Sequence, residues 1–207
     1  MKWDEVGYPN LSWDAATSHL LLRAKNPKFD EYQVQRLPVV EDGNSVKIEH
    51  GEVKTFKGFT LFRIFATPSG KILVAGKHGD SWDLHVFQRW EDIPHFFQIG
   101  DLPAVQNFRG ATCCGAVDMG GTPHAVCIKD WSHTRIELVA LVSGGRAVTI
   151  LDEGDFIPHY AHQMDERLLV LQDLDSVLVY CLASREILFE RKHKHHFLEN
   201  QDIAYWF

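Results

Sequence analysis

Apolar and polar residues alternate over short stretches of this chain and seldom recur at the i, i+3, i+4, i+7 spacing of a helix, so the pattern predicts strands. Phe59 to Ala66 reads as an apolar strand, Thr67-Pro68-Ser69-Gly70 as its turn, and Lys71 to Gly76 as the return of a β-hairpin. Trp82 to Trp90 then alternates at period two, as expected of a third antiparallel strand with one face buried.

This series recurs four times along the chain. The inner hairpins run from Ser12–Ser18 into His19–Ala24, from Ile64–Ala66 into Ile72–Val74, from Gly115–Gly121 into Ala125–Ile128, and from Tyr160–Glu166 into Arg167–Leu171. Third strands are predicted at Tyr32–Leu37, Trp82–Trp90, Arg135–Val142 and Ser176–Leu182. Outer strands are predicted at Val46–Lys54, His95–Ile99, Arg146–Leu151 and Glu186–Glu190. Lys25, Lys77 and Lys129 each follow a second strand, at an even spacing of 52 residues, and Gln172 takes that place in the last unit. The approximate units are 1–54, 55–104, 105–152 and 153–207 of a single all-β domain.

Units of this length with up to four short antiparallel strands resemble the blades of a β-propeller, in which sheets pack radially and expose only short edges. The resemblance is one of pattern, since the Gly-His to Trp-Asp pairing of the WD repeat is absent and Gly120-Gly121 lacks the aromatic pattern of kelch. Evenly spaced short strands also suit a β-sandwich or barrel, which is the alternative architecture. Met1–Tyr8 and Ile203–Phe207 are strand-like, so the ends of the chain are expected to share a sheet.

Composition narrows the function classes. With 45% apolar and 24% charged residues the chain falls among ordinary globular domains, able to build a core. The longest unbroken apolar run, Val177 to Ala183, is far short of the roughly 20 residues a spanning helix needs, and the charged start Met1-Lys2-Trp3-Asp4-Glu5 is unlike a signal peptide. No membrane partner and a cytoplasmic location are expected. A net charge of −7 opposes binding to a phosphate backbone, so nucleic acid is not an expected partner. Cys113, Cys114, Cys127 and Cys181 include no C-x-x-C spacing, which predicts reduced, buried thiols without metal.

Candidate chemistry gathers on the connections between second and third strands, which an antiparallel meander places at one end of every unit. These connections supply Phe29 and Asp30, then His78, Asp80 and Trp82, then Asp130, Trp131 and His133, and finally Asp173 and Asp175. Acids recur in all four, and aromatic anchors in three, which is the composition of a protein-binding face. Asp and Gly also make tight turns, and the aromatic residues could equally cap the core. The run Arg191-Lys192-His193-Lys194-His195-His196 reads as a solvated loop, because its lysines oppose a metal cation; Asp152-Glu153-Gly154-Asp155 could pair with it.

No G-x-S-x-G elbow or phosphate loop is present, and the pattern predicts no cofactor. The reading is a non-enzymatic protein-binding module, an immunity protein neutralising a basic toxin being its narrower form. The alternative is a metal-dependent hydrolase using Asp and His on the same loop face. A monomer and a homodimer that completes a ring are both consistent with the repeat.

Overall fold

The computed structural model describes residues 10–26, 29–43, 45–109, 111–129, 135–142, 144–152, 156–173 and 176–192. Its architecture is all-β, and among the described residues no helix is long and apolar enough to cross a membrane.

Unit 1 is built from β1 (Asn10–Asp14), β2 (His19–Asn26), β3 (Glu31–Asp42) and β5 (Val53–Lys57), with β4 (Ser45–Ile48) pairing only the far end of β3. Unit 2 contains β6 (Leu61–Ala66), β7 (Ile72–His78), β8 (Ser81–Phe87) and β10 (Gln106–Arg109). Unit 3 runs through β11 (Ala111–Met119), β12 (Thr122–Lys129), β13 (Arg135–Ala140) and β14 (Ala147–Asp152). Unit 4 follows as β15 (Tyr160–Gln163), β16 (Leu168–Gln172), β17 (Ser176–Cys181) and β18 (Glu186–Lys192). Lys129 and Gln172 are the last residues of their second strands, whereas Lys25 and Lys77, expected to follow theirs, lie one residue inside them, before Asn26 and His78.

The outer strands depart from expectation in the first half. Residues 46–48 form an exposed arm on β3, and the outer strand of unit 1 is β5. The segment expected to finish unit 2 instead forms β9 (Phe96–Gln98), which pairs in parallel with β5 on the rim of unit 1; unit 2 is finished by β10. Buried Lys54 fixes this detour: its ammonium donates to the carbonyl oxygens of Trp90, at 2.8 Å, and Ile93, holding the 3-10 turn Trp90–Asp92 from which the chain leads into β9. Period-two alternation could not reveal a partner chosen by one buried lysine. The terminal strands expected at 1–8 and 203–207 lie outside the described residues, as do 153–155 and 193–196.

Three apolar cores lie between successive units. Tyr32, Phe56, Phe62 and Ile64 fill the first, Phe65, Leu73, Trp82 and Cys113 the second, and Val117, Leu138, Leu169 and Tyr180 the third. Each middle unit therefore buries both faces, which explains the unbroken apolar runs of β7 and β12.

Inner strands meet at one edge. β1 packs on β6 and β6 on β11, while β11 and β15 pair in parallel at Gly115–Ala161 and Ala116–His162, joining units 3 and 4 into one eight-stranded sheet. A Cβ on Gly115 would lie 2.4 Å from the Ala161 carbonyl oxygen, so this close approach requires glycine. The first turns of the units touch in series. A Cβ on Gly70 would fall 2.9 Å from that of Ala16, Ser69 N–H donates to Asp118 Oδ2 at 3.0 Å, and Gln163 bonds Asp118. These contacts fix all four first turns at one end and the second-to-third connections at the other.

Candidate loop face and axial arginines

At the second end, the connection after β2 presents Phe29, 57% exposed, and Asp30, which takes φ +47 and accepts an ion pair from Lys25 at 3.2 Å. The left-handed conformation suits Asp in a tight connection. In unit 2, His78 pairs with Ser81 around a two-residue turn in which Gly79 supplies φ +57, leaving His78 and Asp80 exposed. Asp173 is half-buried and folded back on its own turn, accepting from Ser176 N–H at 2.5 Å and Ser176 Oγ at 2.9 Å. Phe29, Asp30, His78 and Asp80 thus share one surface, while Asp130, Trp131, His133 and Asp175 lie outside the described residues.

Trp82 belongs elsewhere. It is 2% exposed and packs in the core between units 2 and 3, because β8 begins at Ser81 and its alternation turns Trp82 and Leu84 inward. Its expected place among surface anchors is corrected accordingly.

The sequence pattern also missed the middle of this end, where the inner strands leave carbonyl groups on their unpaired edges. Arg23 of β2 donates to Phe62 O, and Arg63 of β6 donates through Nη1 to Cys113 O at 3.0 Å and His159 O at 3.2 Å. Two half-buried guanidinium groups thereby tie units 1, 2, 3 and 4 together, supplying donors that an edge strand otherwise lacks. The Arg23 guanidinium also sits 5.4 Å from the centre of the Tyr32 ring, whose hydroxyl donates to Thr60 O at 3.1 Å. Burial lowers the pKa of Arg23, with Tyr32 opposing the shift and the like charge of Arg63 adding to it. An apolar strand with one arginine, Leu61-Phe62-Arg63-Ile64-Phe65, was the available signal. The face is thus mixed, carboxylates at the rim and arginines at the axis, rather than uniformly acidic.

Among the described residues no three His, Cys, Asp or Glu side chains form a metal-holding group, so the hydrolase reading acquires no ligand set there. An open groove of about 600 Å³ lies between β14 of unit 3 and β17 and β18 of unit 4, lined by Ile150, Asp152, Tyr180, Arg185 and Ile187. Compared with known proteins, the chain matches no family model and no curated protein.

Proposed function

We propose that this protein is a non-enzymatic binding module that holds another protein against the loop face carrying Phe29, Asp30, His78 and Asp80. The observation that carries the reading is the exposure of Phe29 on a turn braced by the Lys25–Asp30 ion pair, at the same end as the exposed Asp80. An aromatic side chain held on a sheet-anchored turn loses little freedom on binding, and burying it supplies the apolar anchor of an interface. Rim carboxylates favour capture of a basic partner and make its association rate sensitive to salt. Neutralising a basic toxin, as an immunity protein does, is the narrower form of this function. Capture from the native cell by the wild type and by a Phe29→Asp, Asp80→Lys double variant tests it. The expected result is a stoichiometric partner lost by a variant whose melting temperature is unchanged; a partner held equally by both would refute the reading.

A further inference from the structure

Cys113, Cys114 and Cys127 meet on the β11–β12 hairpin, and its register decides which of them face each other. Gly120 and Gly121 take φ +56 and +78 in a two-residue turn closed by the Met119–Thr122 pair. A turn of this kind matches the twist of its strands and fixes the pairing outward from it, which by itself would set Cys114 opposite Cys127. Between Gly115 and Cys113 the ladder takes in one extra residue, and beyond it Cys113 stands opposite Cys127.

The bulge also parts the two adjacent cysteines. Cys113 and Cys127 both enter the second core with Trp82, whereas Cys114 turns into the third, where its thiol donates to Val126 O at 3.4 Å. Cys181 belongs to β17, paired with Leu168 and Glu186. Residues directly opposite in an antiparallel pair hold their Cα atoms about 4.5 or 5.5 Å apart, and a disulfide accepts Cα separations of about 4.4 to 6.8 Å. The side chains meet as well: a hydrogen bond with the Cys113 thiol, and after it burial, hold the Cys127 thiol well above its ordinary range.

We propose that Cys113 and Cys127 are a site of covalent oxidation, forming a cross-strand disulfide that staples β11 to β12, with the facing thiols as its reduced state. The oxidant is a small disulfide. One cysteine thiolate attacks it, forming a mixed disulfide and expelling one thiolate; the second cysteine thiolate attacks the protein-bound sulfur, closing the Cys113–Cys127 bond and expelling the other. The two cysteines lose two electrons and two protons, and the small disulfide is reduced to two thiols.

Access sets the moment of this exchange. In the folded chain both cysteines are 1% exposed, and the residue opposite Cys127 on its other side is Glu137, whose carboxylate favours thiol over thiolate. The hairpin brings the two sulfurs together through its own turn, so exchange runs while the hairpin is formed and unit 2 has not yet packed over it. The bond encloses 15 residues and anchors β11, the strand that packs on β6 and pairs with β15, and so stiffens the joint at which units 2, 3 and 4 meet.

Refolding the full chain from urea in mixtures of reduced and oxidised glutathione tests this. The folded product is expected to carry two free thiols in place of four, and its unfolding equilibrium to shift about a hundredfold toward the folded chain relative to the reduced protein. Variants assign the bond: Cys114→Ala is expected to form it, and Cys113→Ala and Cys127→Ala to keep their three remaining thiols. Should a variant not fold, tandem mass spectrometry of the cross-linked wild-type peptide makes the same assignment. A folded wild type that keeps four thiols at every glutathione ratio, a bond that maps to Cys114 or Cys181, or an oxidised chain no more stable than the reduced one would each overturn the proposal.

Discussion

The side-chain amide of Gln163 bonds both backbone polar groups of Asp118: its Oε1 accepts from the Asp118 N–H at 2.6 Å and its Nε2 donates to the Asp118 carbonyl at 3.0 Å. Gln163 is 4% exposed, so a side chain takes over from the short parallel ladder of β11 and β15 where that ladder ends. Replacing it by Ala leaves two half-buried backbone groups of Asp118 without this partner, and a loss of about 1 to 3 kcal/mol is expected in urea unfolding. Gln163→Glu keeps the shape yet loses the donor, so it is expected to fall between Ala and wild type. Equal stability of all three would contradict the bridging role.

Trp82 and Asp80 stand two residues apart on opposite sides of the surface. Trp82→Ala opens a cavity in the second core, expected to cost about 3 to 5 kcal/mol. Asp80→Ala changes an exposed turn residue and is expected to remain within about 0.5 kcal/mol of wild type. Paired thermal melts distinguish them, and a negligible effect at Trp82 would place its ring outside the core.

His85 is 4% exposed, packs edge-on against Phe97 with ring centres 5.1 Å apart, and makes no well-formed side-chain hydrogen bond, the Pro103 backbone offering only weak support. Burial lowers its pKa, opposed in part by Asp83. The unfolded chain takes up a proton at this ring near pH 6.5 while the folded chain still resists it, so this contribution to stability is full above that pH and lost as pH falls toward the folded value. Unfolding free energies across that range are expected to decline more steeply in the wild type than in His85→Phe. Parallel curves would remove His85 as the cause.

Cys113, Cys114 and Cys127 are buried thiols, and burial raises the pKa of Cys114 well beyond the ordinary range. Cys181 is less buried, and hydrogen bonding from Ser184 lowers its pKa. Thiol reagent is expected to modify Cys181 alone in the native protein and all four cysteines after denaturation. Rapid native labelling of Cys114 would show that the core between units 3 and 4 opens readily.

The strands were legible because they answer to local rules: apolar alternation, turn residues, and a lysine at or next to the end of three of the second strands. What escaped is decided by contacts across the fold. Trp82, like Phe29, stands in a polar connection beside an Asp, yet a strand beginning one residue earlier commits it to the core. Arg63 looks like a polar interruption of an apolar strand until the unpaired carbonyls of Cys113 and His159, far along the chain, are brought against it. The loop-face carboxylates were visible as residue types, but the commitment of Asp30 to Lys25 and Asp173 to Ser176 was not.

The parallel pairing of β9 with β5 sets an order of events at the ribosome. The rim of the first unit cannot be sealed until Gln98 has emerged, so the nascent chain must carry an unsealed β5 edge while the second unit is being made. A repeat laced by its successor is also a poor cassette. Excising or duplicating the first unit alone would leave one rim unstitched, so that gain or loss of units in this half is constrained to whole pairs.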